Sequence, residues 1–344
     1  MRVALITPDR LYHPFVAMIV EGLRARGDEF FGSDPGNGLK PEEVLDYDPG
    51  WFTAAEQAQA VLVFFGKEGS LAAGEPPSRA PKYHLLDGLD DNEPRAVTAY
   101  LDYSEMTATG RENPGQIEAM KSDPRLRRGE PWFNHWVLEN CAHYFKRELF
   151  PDDPQGVKKI GYTTGGYHTS IWPIAFGMLA DYRVPVPRQG KDWDLFCCFG
   201  HTATGLRKEV VEECRRLQGT ERGRKIVVKE RLSARDYRQC LARSKIVVDA
   251  WGHGDHCYRL WEAAGAEACV LYQRYQVRTG PDWFQEGQEI VGYSTAKEFR
   301  HKAESLLALP EAAMTIGRRG LRKALAHHTG KARVNYIMKT MGLE

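Results

Sequence analysis

The sequence predicts an α/β protein made of two doubly wound, Rossmann-like domains, and three observations support this fold class. First, the chain has 344 residues, which exceeds the usual length of one domain and favours two domains of roughly 150 residues each. Second, short apolar runs alternate with helical patterns, which is typical of parallel sheets covered by helices. Third, this alternation weakens between residues 161 and 190 and then begins again.

The first half opens with a strand followed by a helix. "MRVALIT" is a buried apolar run, and "FVAMIVEGLRARG" has helical periodicity that ends at Gly27. Three further runs predict strands: "AVLVFF" (60–65), "KYHLLDG" (82–88) and "AVTAYLDY" (96–103). The stretch "WFNHWVLENCAHYFKREL" predicts a long amphipathic helix that ends near Phe150.

The second half repeats the alternation with clearer boundaries. Strands are predicted at "WDLFCCFG", "KIVVKE", "KIVVDAWG" and "EIVGYS", and helices at "GLRKEVVEECRRL", "ARDYRQCLARS" and "AKEFRHKAESLLAL". The segment "YRLWEAAGAEACVLY" reads as a helix that runs into a short buried strand. We therefore predict a first domain over 1–188, a second over 189–325, and a C-terminal helix over 326–344, for which a return to the first domain is an open alternative.

Composition excludes several classes of protein. The 47 basic and 46 acidic residues nearly cancel, so no global field steers the chain towards nucleic acid or an anionic membrane. The seven cysteines form no CxxC pair, which argues against a disulfide framework or a zinc ribbon and favours a reducing compartment. No stretch reaches the roughly 18 apolar residues that span a bilayer. We therefore expect a soluble, cytoplasmic protein.

Polar residues follow three consecutive strands of the second half. In open parallel sheets, ligands bind at the carboxyl ends of the strands, where loop amides and helix amino termini converge. The basic side chains at these ends suit an anion, and the loop after the second strand, which mixes charge with an apolar residue, suits a nucleotide base. The predicted ligand-binding residues are Gly200, His201, Arg207, Lys229, Glu230, Arg231, Leu232, His253, Gly254 and Asp255.

The helix that begins near His256 carries Arg259 and Glu262 in its first turns. No GxGxxG follows the first strand of either half and no GxxxxGK[ST] occurs, so a dinucleotide-binding fold and a P-loop are both disfavoured. The amino end of this helix still offers free amides and a positive dipole, which would bind a diphosphate together with Arg259. Glu262 would then accept hydrogen bonds from the hydroxyls of a ribose. The alternative is a plain ion pair between Arg259 and Glu262 on the helix surface. Gly265 permits close packing at the next turn.

The second half resembles the carboxyl-terminal domain of group 1 GT-B glycosyltransferases, in particular the branch that includes spore-maturation-type transferases. The resemblance covers about residues 193–340 and rests on "DLFCCFG", "YRQCLARSKIVVDAWG", "RLWEAAGAEACVL" and the tail "HHTGKARVNYIM". It implies a GT-B fold, in which two Rossmann-like domains face each other across a cleft. It also implies a UDP- or GDP-type sugar donor held by the second domain, an acceptor held by the first, and hexosyl transfer in the cleft.

The chain departs from the group 1 pattern at one position. Many of these enzymes carry a second Glu eight residues before the one that matches Glu262, and this chain has Gly254 there, between His253 and Asp255. Contacts to the transferred sugar, and the choice between retention and inversion at the anomeric carbon, therefore stay open.

The resemblance also implies how the reaction is catalysed. GT-B enzymes usually stabilise the diphosphate leaving group with helix dipoles and basic side chains, without a metal or other cofactor, and Arg207, Lys229 and Arg259 match this role. An inverting enzyme also needs a base within reach of the acceptor hydroxyl. The candidates are Asp87 and His13, followed by Asp90 and Asp91.

Some of these residues have simpler interpretations. "LDGLDD" also fits a turn rich in Asp and Gly, and His13 before Pro14 also fits a helix-entry residue. His253, His256 and Cys257 have a spacing that suits zinc, but zinc normally takes four ligands and no second cluster is evident.

Two other functions remain compatible with the residues: a nucleotide- or sugar-binding module without catalysis, and a nucleotide-sugar epimerase of the same fold. Within the transferase hypothesis the acceptor is open among a polysaccharide, a small metabolite, a protein and a modified nucleobase of phage DNA.

Overall fold

The computed structural model describes residues 1–6, 13–33, 38–45, 54–55, 57–65, 97–102, 143–147, 170–200, 205–221, 223–252, 257–275 and 279–344. The chain divides into two compact α/β units. The first comprises Met1–Ala175, Gln276–Gly280 and Gly330–Glu344, and the second comprises Phe176–Tyr275 and Pro281–Thr329. The strand predicted over 82–88 lies outside the described residues.

The first unit contains a sheet of six parallel strands in the order β2-β1-β3-β4-β5-β6. These strands are β1 (Arg2–Ile6), β2 (Glu29–Gly32), β3 (Ala60–Phe65), β4 (Val97–Asp102), β5 (His143–Lys146) and β6 (Ser170–Pro173). Helix α1 (Pro14–Arg26) follows β1, and a short 3₁₀ helix spans Pro41–Glu43. The predictions for β1, α1, β3 and β4 are confirmed.

Local sequence explains the bounds of α1. Proline stands at its first position, where no hydrogen-bond donor is needed, and Gly27 ends it with φ of 78°, a left-handed conformation that glycine adopts without strain.

The prediction of a helix through "AHYFKREL" is wrong, because residues 143–146 form strand β5 between β4 and β6. Tyr144 and Phe145 are consecutive and both fully buried, so the two faces of this strand are both covered. Such a strand shows no alternation, and its apolar run cannot be told from a buried helix by periodicity. The short strands β2 and β6 were not predicted either.

The second unit contains a parallel five-stranded sheet in the order β11-β10-β9-β7-β8. Its strands are β7 (Trp193–Phe199), β8 (Ile226–Glu230), β9 (Ser244–Asp249), β10 (Cys269–Gln273) and β11 (Val291–Tyr293). Its helices are α2 (Gly205–Thr220), α3 (Ala234–Arg243), α4 (Tyr258–Gly265), α5 (Ala296–Ala308) and α6 (Pro310–His327), with a 3₁₀ helix at Ala180–Tyr182. The predicted alternation of strands and helices is confirmed throughout this unit.

Strand β7 is covered on both faces. Cys197 and Phe199 belong to an apolar cluster that also contains Cys214 of α2, and Phe196 packs against Tyr237 of α3 with ring centroids 5.9 Å apart. Cys197 and Cys198 are consecutive, so they take opposite faces, as the sequence predicts. Among the described residues, Cys197, Cys198, Cys214, Cys240 and Cys269 are free thiols.

The last helix, α7 (Gly330–Thr340), packs along α1 within the first unit. Two glycines make this contact possible: a Cβ atom on Gly22 would overlap the carbonyl oxygen of Gly330, and one on Gly330 would overlap that of Met18. The buried Arg333 donates from Nε to the carbonyl of Ala175 at 3.0 Å. No helix among the described residues combines the length and apolar character that a bilayer-spanning segment needs.

Candidate functional site

The order of the strands in the second unit creates a ligand-binding position between β7 and β9. From β7 the chain moves to β8 on one side and then returns to β9 on the other side of β7. In open α/β sheets the ligand crevice forms at this reversal, outside the carboxyl ends of the two strands. These ends carry Phe199 on β7 and Asp249 on β9.

Two guanidinium groups lie against the ring of Phe199. The Cζ atom of Arg259, from the first turn of α4, is 4.6 Å from the ring centroid. The Cζ atom of Arg207, from the first turn of α2, is 5.1 Å from the same centroid. Both distances fall within the range of cation–π attraction. Helices that follow different strands therefore bring their basic residues to one strand end.

Arg259 forms a buried ion pair with Asp249. Its Nη1 donates to Oδ1 of Asp249 at 3.1 Å, and side-chain exposure is 17% for the arginine and 1% for the aspartate. Burial lowers the pKa of Arg259, but the surrounding acidic groups, Asp249 and Glu262 among them, together raise it by more, so its pKa lies above that of a free arginine. The expected alternative, an ion pair with Glu262, is not formed, because Arg259 pairs with the strand instead.

Asp249 was not predicted as a site residue. Its carbonyl oxygen accepts a hydrogen bond from the Tyr293 hydroxyl at 2.8 Å. Burial raises the pKa of the Asp249 carboxyl to about 6, although the positive charges of Arg259 and Arg207 act in the opposite direction. The sequence signal was present, since an acidic residue ends the apolar run "KIVVD". A buried charge at a strand end calls for a partner.

Arg207 is attached to the chain that leaves β9. Its Nη2 donates to the carbonyl oxygen of Ala250 at 3.1 Å and to that of Trp251. Burial lowers the pKa of Arg207, and the neighbouring Arg259 lowers it further. The two cations thus repel each other, and an anion bound between them would relieve that repulsion.

Glu262 is oriented by a tyrosine from α3. The Tyr237 hydroxyl donates to Oε2 of Glu262 at 3.2 Å. Ser233 starts α3 by accepting a hydrogen bond from the Asp236 amide at 3.1 Å, which places Tyr237 one turn into the helix. Burial raises the pKa of Glu262, although Arg259 and the Tyr237 hydrogen bond act in the opposite direction. Nothing in the sequence pattern identified Tyr237.

Helix α4 is held close to the preceding chain through its last residue. A Cβ atom on Gly265 would overlap the carbonyl oxygen of Tyr182, and the Gly265 carbonyl accepts from the Val184 amide at 3.3 Å. The prediction that Gly265 permits close packing is confirmed.

The loop after β8 approaches the end of β7. Arg231 donates from Nε to the Gly200 carbonyl at 3.2 Å and has φ of 46°, in the left-handed region that non-glycine residues rarely adopt. Glu230 pairs with Arg215 at 2.8 Å. Lys229, Glu230 and Arg231 are exposed and Leu232 is half-buried. Of the predicted residues at these strand ends, His201, His253, Gly254 and Asp255 lie outside the described residues.

The predicted bases belong to the first unit. His13 is the N-cap of α1, and its Nδ1 accepts from the Phe15 amide at 3.2 Å. A neutral His13 in this arrangement carries its proton on Nε2, where it acts as a donor. Asp87, Asp90 and Asp91 lie outside the described residues. Among the residues that are described, no three His, Cys, Asp or Glu side chains form a group that suits a metal ion.

Comparison with known sequences identifies one family. Residues 199–339 match the family model of the glycosyl transferase-like proteins. This span includes β8 to β11 and the helices that carry Arg207, Tyr237, Arg259 and Glu262. A search of curated proteins gives no sequence match.

Comparison with solved structures identifies the fold. An α-glucosyltransferase in complex with UDP-glucose and abasic-site DNA has a TM-score of 0.62 at 8% identity, over 99% of this chain and 99% of that one. Sucrose-phosphate synthase from Thermosynechococcus elongatus has a TM-score of 0.50 at 11% identity, over 98% of each chain. HepE of Anabaena, in complex with UDP and glucose, has a TM-score of 0.50 at 9% identity, over 99% of each. The protein therefore has the fold of the GT-B glycosyltransferases, and its residues 199–339 match the model of the glycosyl transferase-like family.

Proposed function

We propose that the protein transfers a sugar from a nucleoside-diphosphate sugar of the uridine or guanosine type to an acceptor hydroxyl. One observation carries this proposal: Arg207 and Arg259 lie against the same ring, Phe199, at the strand reversal of the second unit. A diphosphate is the part of such a donor that matches two guanidinium groups at one strand end, since each guanidinium presents a planar fork of donors to phosphate oxygens.

The reaction needs stabilisation of the leaving group. When the bond between the anomeric carbon and the diphosphate oxygen breaks, the electron pair stays on the diphosphate, whose negative charge increases. Fixed positive groups placed at that oxygen lower the barrier, because they need no rearrangement during the reaction. Arg207 and Arg259 are fixed in this way, by main-chain carbonyls and by Asp249 respectively. We infer that these two cations stabilise the leaving group without a metal ion.

The nucleoside is assigned to Glu262 and the loop after β8. A carboxylate accepts hydrogen bonds from the two ribose hydroxyls, and Tyr237 occupies only Oε2 of Glu262. The loop of Lys229, Glu230, Arg231 and Leu232 is proposed to contact the base.

Transfer is completed by the acceptor. The acceptor oxygen forms a bond to the anomeric carbon, and its proton passes to a base. Asp87 is the first candidate for this base, with Asp90 and Asp91 as further candidates. His13 suits the role less well in its present tautomer, because its Nδ1 lone pair is used by the Phe15 amide.

Two structural neighbours guide the choice of substrates. The α-glucosyltransferase was solved with UDP-glucose and DNA, and HepE with UDP and glucose. UDP-glucose is therefore the first donor to test, followed by GDP-sugars. The acceptor panel contains glycans, small metabolites, a protein and duplex DNA with modified bases.

The decisive experiment measures release of nucleoside diphosphate from this donor panel with and without acceptors, in the presence and absence of EDTA. Release that depends on an acceptor and resists EDTA supports the proposal. An isomerised nucleotide sugar without transfer would instead identify an epimerase, and donor binding without any turnover would identify a binding module. Failure to bind any nucleotide sugar would refute the whole assignment.

A further inference from the structure

The end of β9 holds an aspartate whose contacts point to a role in placing the donor. We propose that Asp249 is a positioning residue that holds the Arg259 guanidinium in the orientation in which it binds the donor diphosphate. This inference rests on the proposed function and deepens it, since neither the sequence pattern nor the family match assigned a role to Asp249.

Asp249 determines which way the Arg259 side chain points. Arg259 and Glu262 stand three residues apart on α4, a spacing at which opposite charges commonly pair. Arg259 instead reaches the strand and donates to Asp249 at 3.1 Å. This choice brings the guanidinium 4.6 Å from the Phe199 ring centroid, and Arg207 lies 5.1 Å from the same centroid.

Asp249 is itself held firmly within the sheet. Asp249 is the last residue of β9 and is in register with Tyr272 of β10. Its carbonyl oxygen is also tied to the Tyr293 hydroxyl at 2.8 Å. The Asp249 side chain is 1% exposed, whereas 17% of the Arg259 side chain remains exposed. The Nη1 atom of Arg259 is therefore fixed by Asp249, while part of the Arg259 side chain stays accessible to a ligand.

The pair is poorly arranged for stability alone. Within the described residues, Oδ2 of Asp249 and Nε of Arg259 are both buried without a hydrogen-bond partner. An ion pair with unsatisfied buried atoms contributes little to folding, because desolvation offsets the attraction. Its position at the strand reversal, beside a second arginine, gives it a functional explanation.

The ionisation of Asp249 adds a second readout. Among the residues that the structure describes, the titratable and charged groups that face it are Arg259 and Glu262 on α4, Arg207 on α2, Tyr237 on α3, Tyr275 after β10 and Tyr293 on β11. Burial raises the pKa of Asp249 to about 6, so its carboxylate is charged at neutral pH and becomes protonated below that value. Affinity for the donor should fall as the pH falls through about 6.

The test compares binding of UDP-glucose to the wild type, Asp249→Asn and Asp249→Ala by calorimetry. The diphosphate of a nucleotide sugar does not titrate near pH 6, which makes it a better ligand for this purpose than free UDP. Asparagine keeps an oxygen that accepts from Arg259, and alanine does not. We expect Kd to rise about tenfold in the alanine variant and by less in the asparagine variant. In both variants the decrease in donor affinity at acid pH should be absent. Uridine should bind all three proteins equally.

The matched control is Asp194→Asn. Asp194 is also a buried aspartate of the same sheet, paired with Lys245 at 2.8 Å, but it stands at the amino end of β7. This variant should lose stability in urea and keep the affinity of the wild type for UDP-glucose.

Two results would overturn the inference while leaving the proposed function intact. Tighter binding in both Asp249 variants would mean that the carboxylate only neutralises Arg259. Unchanged affinity and an unchanged pH profile would mean that the pair is merely structural. If the wild type itself binds no nucleotide sugar, the proposed function fails, and this inference fails with it.

Discussion

The Tyr237 hydroxyl lies 3.2 Å from Oε2 of Glu262 and donates a hydrogen bond to it, which links α3 to α4 at the candidate site. Burial raises the pKa of Tyr237, so its hydroxyl keeps its proton and remains a donor. Among the described residues, Oε2 is the only oxygen of Glu262 with a hydrogen-bond partner, which leaves Oε1 for a ligand.

Glu262→Ala should remove the recognition of ribose. We expect affinity for UDP to fall about tenfold or more, since a hydrogen bond to a charged group contributes about 1.5–3 kcal/mol. The wild type should prefer UDP over 2′-deoxy-UDP, and the variant should bind both alike. The control is Glu286→Ala, which removes a carboxylate that also accepts from a tyrosine, Tyr272, at 2.9 Å. A variant that keeps the preference would show that the ribose lies elsewhere.

Tyr237→Phe should weaken UDP binding less than the loss of Glu262 does. The carboxylate remains but loses the donor that orients it, so we expect a decrease in affinity of about 1 kcal/mol. Tyr272→Phe removes a comparable hydroxyl, bound to Glu286 rather than to Glu262, and should leave UDP affinity unchanged. Equal effects of the two substitutions would argue against a specific contribution from Tyr237.

Arg207→Met should weaken the binding of phosphate groups and not of the nucleoside. We expect Kd for UDP to rise about tenfold to a hundredfold, with no change for uridine. Arg216→Met is the control on the same helix, because Arg216 makes an exposed ion pair with Glu213 at 2.9 Å. Parallel losses of UDP and uridine affinity in Arg207→Met would indicate damage to the fold instead of loss of a phosphate contact.

Lys191→Met should destabilise the second unit. Nζ of Lys191 donates to the carbonyl oxygens of Ala242, Ser244 and Ala266 at 3.3, 2.8 and 2.7 Å. These carbonyls lie at the end of α3, the start of β9 and the end of α4. Removing the ammonium leaves them without this donor, which should lower the free energy of unfolding by about 2–5 kcal/mol. The measurement is the urea midpoint.

The control for Lys191→Met is Lys225→Met. This substitution breaks an exposed ion pair in which Nζ of Lys225 lies 2.9 Å from Oδ2 of Asp192. Such a pair contributes at most about 1 kcal/mol. Similar midpoints for the two variants would contradict a structural role for Lys191.

Gly265→Ala and Gly219→Ala should have opposite effects on stability. The added methyl group at Gly265 overlaps the Tyr182 carbonyl oxygen, and main chain cannot move aside easily, so we expect a loss of about 1–3 kcal/mol. At Gly219, near the end of α2, a methyl group meets nothing within 4 Å, and alanine should add up to about 1 kcal/mol through its higher helix propensity. The thermal unfolding of both variants is compared with that of the wild type. A Gly265→Ala protein as stable as the wild type would refute the close contact between Gly265 and the Tyr182 carbonyl.

The elements of the second unit were predictable because their signals are local. "DLFCCFG" and "KIVVDAWG" are apolar runs that end in glycine. Ser233 and Thr295 cap α3 and α5, the helices that follow β8 and β11. In the first unit the same reasoning failed for β5, since Tyr144 and Phe145 are buried on opposite faces and carry no period.

The candidate site was predictable in part. Basic and acidic residues that follow the strands led to the prediction of Arg207, Arg259 and Glu262 as site residues, because parallel strands place all their carboxyl ends on one edge. The partners of Glu262 and Arg259 were not predictable. Tyr237 and Asp249 come from elements whose neighbours depend on the order of the strands in the sheet.

By itself the sequence determined the succession of strands and helices in the second unit and the presence of two arginines and a glutamate at strand ends. Only the tertiary structure decided that Arg259 pairs with Asp249, that Tyr237 pairs with Glu262, and that both arginines lie against the Phe199 ring. The physical reason is that helix and strand signals act over a few neighbouring residues. A buried ion pair depends instead on which strands lie side by side, and that is decided by packing of the whole sheet.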